Sequence, residues 1–160
     1  MAKKHIRFGR THIFFLTVFF VCFVVLLYMN TRPPHTQQVF LKQEKLELYV
    51  AKTIKDMYVG LGGRDDLGGK DGMLFLYDYP GRHGIVMRDM RFPLDIVWLD
   101  EGLVVDIAPA VPIEPYVTES ALIVYRPRID ATMVVELPAG WAARHDLKIG
   151  DVFAIPLEAS

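Results

Sequence analysis

Residues 94–108 read LDIVWLDEGLVVDIA, two apolar runs joined by the turn-forming residues Asp100, Glu101 and Gly102. Runs of this length around a short, glycine-containing connection predict an antiparallel β-hairpin. Outward from this hairpin, further short apolar or alternating runs predict strands over residues 45–50, 73–77, 84–87, 132–137 and 152–155. A chain of many short strands favours a sheet that closes on itself, because closure removes exposed strand edges.

Two short segments predict helices. Thr53 is followed three residues later by Asp56, as in a capping box, and a stripe of apolar residues at helical spacing then ends at Gly60. Residues 138–146 contain three alanines and form the second candidate. We therefore predict a β-rich α+β fold, a small closed or nearly closed β-barrel-like domain with one or two short helices, preceded by a single transmembrane helix.

The transmembrane prediction depends on residues 13–29, IFFLTVFFVCFVVLLYM, which contain no charge and one hydroxyl. As a helix this run covers about 26 Å, close to the ~30 Å hydrocarbon thickness of a bilayer. Four bases precede the run and only Arg32 follows closely, which by the positive-inside rule predicts a cytoplasmic N-terminus. Cleavage as a signal peptide and lipidation at Cys22 are the alternatives, but bulky residues near both positions favour an uncleaved anchor.

The predicted organisation has four parts: a basic cytoplasmic segment (1–12), the transmembrane helix (13–29), a linker (30–38) and a β-rich exterior domain (39–160). We expect a single-pass protein of the cell inner (cytoplasmic) membrane, with its C-terminal domain in the periplasm or outside the cell. The charge divides in the same way, since residues 1–35 hold five of the 18 bases and no acid, whereas residues 36–160 hold all 19 acids.

Composition and motifs argue against several functional classes. The net charge is −1, so the chain lacks the basic character that nucleic-acid binding needs. The single cysteine, Cys22, excludes an intrachain disulfide and a multi-cysteine metal site. The histidines His35, His83 and His145 share no metal-binding motif, and the chain has no phosphate-binding glycine loop and no nucleophile elbow. We therefore expect no metal and no cofactor.

Six short motifs follow one another over about residues 45–155. They are Val50-Ala51-Lys52-Thr53, Gly60-Leu61-Gly62-Gly63-Arg64, Gly72-Met73-Leu74-Phe75, Pro93-Leu94-Asp95-Ile96, Glu136-Leu137-Pro138-Ala139-Gly140 and Gly150-Asp151-Val152. In this order and spacing the motifs resemble the domain-of-unknown-function 192 family. The resemblance implies a small β-rich domain, often behind a signal or membrane segment, and it supplies no established activity.

The chain departs from the family pattern at two places. The family usually has a methionine where Gly62 stands. It also has an aromatic-Trp-Met-Lys-Asn-Thr run where this chain has residues 85–90, IVMRDM, so that Arg88 keeps the basic position but the tryptophan and the Asn-Thr pair are absent. If those family residues line a ligand site in other members, this chain has an altered site.

Four charged residues are candidate ligand-binding positions. Asp95 and Glu136 each lie between two apolar residues of a predicted strand, and Arg64 and Arg88 are the basic candidates. Carboxylates at such positions can face solvent, can accept backbone hydrogen bonds or pair with an arginine, or can converge in a cleft that binds a polar ligand. The sequence spacing leaves all three interpretations open.

The leading hypothesis is a non-enzymatic module of the cell envelope that binds an envelope protein or a small polar ligand. The predicted contact loop covers about residues 109–130 and carries Tyr116, Glu119, Arg126 and Arg128. The alternative is a carboxylate-based, hydrolase-like enzyme in which Asp95 and Glu136 act as acid and base. That alternative requires the two carboxyl groups to lie in one cleft.

Overall fold

A computed structural model of the chain describes residues 9–30 and 35–156. The chain divides into two compact units, Met1–Pro34 and His35–Ser160. In the first unit the described element is helix α1, Arg10–Asn30. Residues 1–8 of the predicted basic segment and residues 31–34 of the predicted linker lie outside the described residues.

The second unit is built mainly from strands. Its elements are β1 (Thr36–Leu41), β2 (Glu44–Ala51), α2 (Ile54–Val59), β3 (Gly72–Gly81), β4 (Leu94–Asp100), β5 (Leu103–Val111), the 3₁₀ turn Glu119–Ala121, β6 (Ala131–Pro138), α3 (Trp141–Arg144) and β7 (Phe153–Ala154). The predicted hairpin is confirmed, since β4 and β5 pair antiparallel and Asp100 lies opposite Leu103.

The described strands form one sheet in the order β5-β4-β6-β3-β2-β1-β7. Neighbouring strands are antiparallel except β2 and β3, whose parallel pairing is connected through α2. One face of this sheet carries a core to which each of these strands contributes, and Trp141 and Leu147 pack into it beyond the strands.

The sheet is a strand-rich half-barrel, which contradicts the predicted closed or nearly closed barrel. Its two edge strands, β5 and β7, meet only near residues 102–104, through a bridge between Leu103 and Val152 and adjacent hydrogen bonds. The physical reason is the length of β7, because two residues cannot extend a ladder along the nine residues of β5.

A second core covers the opposite face of the sheet. Strand residues such as Phe75, Ile96 and Trp98 alternate with those of the first core, as the two-residue period of a strand requires. Leu61 and Met87 pack onto this face from the segments that follow α2 and β3. The second core therefore places two connecting segments over the sheet, and the candidate site lies between them.

The N-terminal helix does not support the predicted membrane anchor. Within the described parts of the chain, no helix is both long and apolar enough to cross a bilayer. This finding contradicts the predicted transmembrane helix over residues 13–29, and with it the predicted single-pass localisation in the inner membrane.

Candidate functional site

The candidate site is centred on Glu136, in the C-terminal half of β6. Glu136 lies opposite Met73 of β3 on one side and Ile96 of β4 on the other, so it is a central position of the sheet. The backbones approach closely here, because a Cβ added to Gly72 would lie 2.0 Å from the carbonyl oxygen of Glu136. The glycine of the sequence motif 72–75 is therefore required by the packing of β3 against β6.

Glu136 is a buried acid without a full set of partners. The residue is 5% exposed, and its Oε2 atom has no hydrogen-bond partner among the described residues. Burial raises the pKa of Glu136 to about 8, because the charged carboxylate loses its hydration. At neutral pH the group is therefore predominantly a neutral carboxylic acid, which can donate one hydrogen bond and accept others.

Glu136 lines a cavity of about 380 Å³, which we call the Glu136 cavity. It lies between the sheet, helix α2 and the segment after β3. Most of its wall is apolar, with Met57, Phe75, Ile85 and Met90 among the lining residues. The polar or charged side chains in its wall, besides Glu136, are Tyr58, Tyr77 and Arg88. A concave, largely apolar site with few polar groups is the usual form of a small-molecule site.

Arg88 lines both the Glu136 cavity and a second cavity of about 550 Å³, which we call the outer cavity. Its guanidinium makes a bidentate ion pair with Glu119 through Nε and Nη2, and Nη1 donates to the carbonyl oxygen of Tyr58 at 2.5 Å. The same group stacks 3.9 Å from the centre of the Tyr58 ring. Glu119 raises the pKa of Arg88, so this cation stays charged and is already neutralised by a carboxylate.

Tyr77 is a polar side chain of the Glu136 cavity on β3. Burial, with the nearby charges of Glu136 and Tyr79, raises the pKa of Tyr77 to about 12. The phenol therefore keeps its proton over the physiological range. Its ring stacks on the imidazole of His83 with 3.6 Å between ring centres, which fixes the orientation of the tyrosine.

The loop over residues 109–130 is fixed at its C-terminal end by an ion pair between the buried Asp106 and the exposed Arg128. Asp106 of β5 accepts hydrogen bonds from the backbone N–H of Arg128 and from its guanidinium, and the pair holds the pKa of Asp106 low. This contact holds the loop beside the outer cavity, which Tyr116 and Glu119 help to line. Of the loop residues singled out in the sequence, these two reach the cavity wall, whereas Arg128 anchors the loop.

Asp95 is buried on the other face of the sheet. It lies opposite Leu137, a residue of the first core, whereas Glu136 lies opposite Ile96 of the second core. Its Oδ1 accepts from the N–H groups of Ala110 and Gly140, and its Oδ2 accepts from Ala142 N–H at 2.7 Å. The Asp95 carboxylate therefore connects the end of β5 to the start of α3.

Arg64 also lies outside both cavities. Its guanidinium stacks 4.4 Å from the centre of the Tyr49 ring. Of the four residues predicted from the sequence, the structure brings Arg88 and Glu136 to one cavity and leaves Arg64 and Asp95 outside it. Sequence reasoning missed Tyr58 and Tyr77, because an aromatic residue in an apolar run gives the same signal whether it fills a core or lines a cavity.

Gly62 lines both cavities at the place where the family usually has a methionine. A Cβ at this position would lie 2.7 Å from the carbonyl oxygen of Arg88, so a larger residue requires the 85–90 segment to move. Gly62 and the 85–90 segment, the two places where the chain departs from the family pattern, therefore contact each other. They change the wall of the site together.

Fold and site define a small strand-rich domain with a buried acid at the base of an apolar cavity. The model of the DUF192 family, described as “Uncharacterized ACR”, matches residues 37–155, and the chain belongs to this family. The resemblance that the sequence motifs predict is thereby confirmed. Among curated proteins, none matches the chain.

Two solved structures are similar to the chain. A protein of Sinorhizobium meliloti 1021, described as a candidate transcription regulator, has a TM-score of 0.68 at 22% identity, over 78% of this chain and 96% of that one. A protein of unknown function from Novosphingobium aromaticivorans has a TM-score of 0.63 at 25% identity, over 77% and 93%. The first likeness shows the fold alone, and neither provides an activity for this chain.

Proposed function

We propose that the domain is a non-enzymatic binding module that holds a small, largely apolar molecule with one hydrogen-bonding group in the Glu136 cavity. The observation that carries the proposal is the unpartnered Oε2 of Glu136, a buried polar atom in the wall of that cavity. An unsatisfied buried polar atom costs about 1–3 kcal/mol. A ligand group bonded to this oxygen would recover that cost, and the apolar remainder would pack against Phe75 and Ile85.

The dimensions of the cavity support a ligand of small-molecule size. Its volume of about 380 Å³ falls within the usual range for such sites, which begins near ~300 Å³. Tyr58, at the rim on α2, is 58% exposed, so an aromatic surface borders the opening. Arg88 at the boundary with the outer cavity is held by Glu119 and Tyr58, so it is a fixed wall rather than a free cation.

The position of Asp95 argues against the hydrolase-like alternative. Two-carboxylate catalysis needs both groups on one substrate, within ~10 Å of each other in a shared cleft. Asp95 and Glu136 are buried in cores on opposite faces of the sheet, and both oxygens of Asp95 already accept backbone hydrogen bonds. The geometry therefore supports binding by Glu136 better than acid–base catalysis by the pair.

A fragment screen on the full chain tests the proposal. We expect fragments with an aryl or alkyl body and one polar group to raise the melting temperature of the wild type. Glu136→Leu should lose these hits, because leucine fills the same volume without a hydrogen-bonding atom. The matched control is Glu44→Gln, an exposed glutamate on β2, which should keep them. Hits that bind Glu136→Leu as tightly as the wild type would overturn the proposal.

A further inference from the structure

Among the charged side chains that line the two adjoining cavities, acids outnumber bases. The outer cavity is lined by the anions Asp89, Glu114 and Glu119 and by the cations Arg88 and Arg91. Both cations are paired, Arg88 with Glu119 and Arg91 with Asp65. Any molecule that enters therefore meets arginines already neutralised by carboxylates.

Glu114, like Glu136, has a buried carboxyl oxygen without a hydrogen-bond partner among the described residues. Oε1 of Glu114 is buried in the wall of the outer cavity and has no hydrogen-bond partner among the described residues, whereas Oε2 accepts from Ile123 N–H at 3.0 Å. An ionised carboxylate accepts hydrogen bonds and donates none. Two unpartnered carboxyl oxygens in adjoining cavities favour a ligand whose polar end is rich in N–H donors.

We propose that the molecule bound in the Glu136 cavity is a small primary amine in its ammonium form, with an alkyl or aryl body that packs on Phe75, Ile85 and Met90. This inference deepens the proposed function and rests on it. The ammonium nitrogen bonds to the Glu136 carboxylate at the base of the cavity. An ammonium group has three donors and no acceptor, which complements a carboxylate in an otherwise apolar wall.

Other polar groups fit the cavity less well. A ligand carboxylate or phosphate would lie beside the acid Glu136, which offers it no positive charge. To bind Arg88 instead, it would have to displace Glu119. A neutral alcohol can bond to the protonated form of Glu136, but it gains no charge pairing. The acidic side chains that line the outer cavity also attract a cation to the neighbourhood of the Glu136 cavity.

Binding of the amine changes the protonation of Glu136. The ligand keeps its own proton, and Glu136 releases its proton to the solvent as it becomes a carboxylate. Because the pKa of Glu136 is about 8, the cavity at pH 7 should release about 0.9 proton per amine bound. The other titratable groups facing the cavity are Tyr58 on α2, Tyr77 on β3 and Arg88, and the pKa values of Tyr77 and Arg88 are raised.

Calorimetric titration of the full chain tests the inference with butylamine, benzylamine and 2-phenylethylamine, each beside its matched alcohol and carboxylate. We expect at least one amine to bind about tenfold or more tightly than its alcohol, and the carboxylates to bind weakest. Titration in buffers of different ionisation enthalpy should show the proton release. The affinity of the amine should rise about tenfold from pH 6 to pH 7 and level off above about pH 8.

Glu136→Gln removes the charge and keeps the shape, so it should weaken amine binding about tenfold or more and leave the alcohol nearly unchanged. Glu44→Gln is the control and should change neither. If Glu136→Gln does not fold, the proton release of the wild type still decides the inference.

Alcohols that bind as tightly as amines, or amines that bind without proton release, would overturn this inference and leave the proposed function standing. Equal amine binding by the wild type and Glu136→Gln would also overturn it. Failure of amines, alcohols and carboxylates alike would overturn the inference, and a fragment screen without hits would overturn the proposed function as well.

Discussion

Asp95 and Glu136 are both buried acids of the central strands, but they differ in what their oxygen atoms contact. Asp95 accepts three backbone hydrogen bonds, whereas Oε2 of Glu136 has no hydrogen-bond partner among the described residues. A buried acid that satisfies the backbone stabilises the fold, and a buried acid that remains unsatisfied destabilises it. Asp95 therefore has a structural role, and Glu136 is the residue that we propose binds a ligand.

Replacing Asp95 with asparagine should destabilise the protein. One oxygen becomes an NH₂ group, which then faces a backbone N–H donor instead of accepting from it. We expect the free energy of unfolding to fall by about 2–4 kcal/mol, measured by urea denaturation. Asp78→Asn, at an exposed position of β3, should change it by less than about 0.5 kcal/mol. Equal effects at the two positions would contradict this role for Asp95.

Glu136 should make the stability of the protein depend on pH above pH 5. Its pKa rises from an ordinary 4.5 to about 8 on folding, so between these values the folded chain holds a proton that the unfolded chain has lost. The free energy of unfolding should therefore fall as pH rises from about 5 to about 8, by up to about 1.4 kcal/mol per pH unit.

Glu136→Gln should remove this dependence of the free energy of unfolding on pH. Urea denaturation at several pH values measures it. The acids whose pKa values are lowered, Asp56 and Asp106 among them, are ionised in both states over this range and add no slope of their own. A slope that persists in Glu136→Gln would assign the pH dependence to another group.

The sequence could show that Asp95 and Glu136 are unusual, but not that they lie on opposite faces. Each follows an apolar residue in a strand, and the local patterns are alike. Their faces depend on the register between β4 and β6, in which Asp95 lies opposite Leu137. That register is set by pairing between residues distant in sequence, and a shift of one position exchanges the two faces.

Among the elements, the 109–130 loop offers the clearest test of a single contact. Asp106→Ala should release the end that Arg128 anchors, because it removes the acceptor of the ion pair and of the Arg128 backbone N–H. We expect faster hydrogen exchange in residues 112–128 and unchanged protection in β4 and β6. Asp130→Ala, an exposed position near the same end, is the control and should leave exchange in the loop unchanged.

Helix α2 forms the wall of the Glu136 cavity opposite the sheet, and its capping box should control that wall. The Thr53 hydroxyl accepts from Asp56 N–H, and the Asp56 carboxylate accepts from Thr53 N–H. None of the six residues of α2 is buried, so the cap contributes much of its stability. Thr53→Ala should cost about 1 kcal/mol and speed hydrogen exchange in α2. Equal exchange in the variant would show that packing alone holds the helix.

Local patterns predicted the β4–β5 hairpin and the capping box of α2 because both are encoded within a few residues. Strand β1 was missed, because Thr36–Leu41 has little alternation and follows two prolines. Its pairing with β2 and β7 stabilises it instead. Strand β3, predicted over residues 73–77, continues to Gly81 through turn-forming residues such as Asp78 and Pro80, with an irregular register against β6.

For the molecule as a whole, the unit His35–Ser160 should fold independently. It contains every described strand and both described core clusters. A chain that begins at residue 35 should therefore keep the melting temperature of the full chain within a few degrees, measured by circular dichroism. It should also keep the fragment binding of the Glu136 cavity. Loss of cooperative unfolding in the shortened chain would contradict the division into two units.

The two ends of the domain lie side by side. Phe40 of β1 pairs with Ala154 of β7 in antiparallel register, so the chain enters and leaves the sheet on neighbouring strands. Residue 35 lies five positions before Phe40, and residue 156 lies two positions after Ala154, so both ends of the described domain are within a few residues of this pair. A few added residues would join these ends into a circle. The domain could then be reopened at another loop, or inserted whole into a surface turn of a host protein, without a change of strand order.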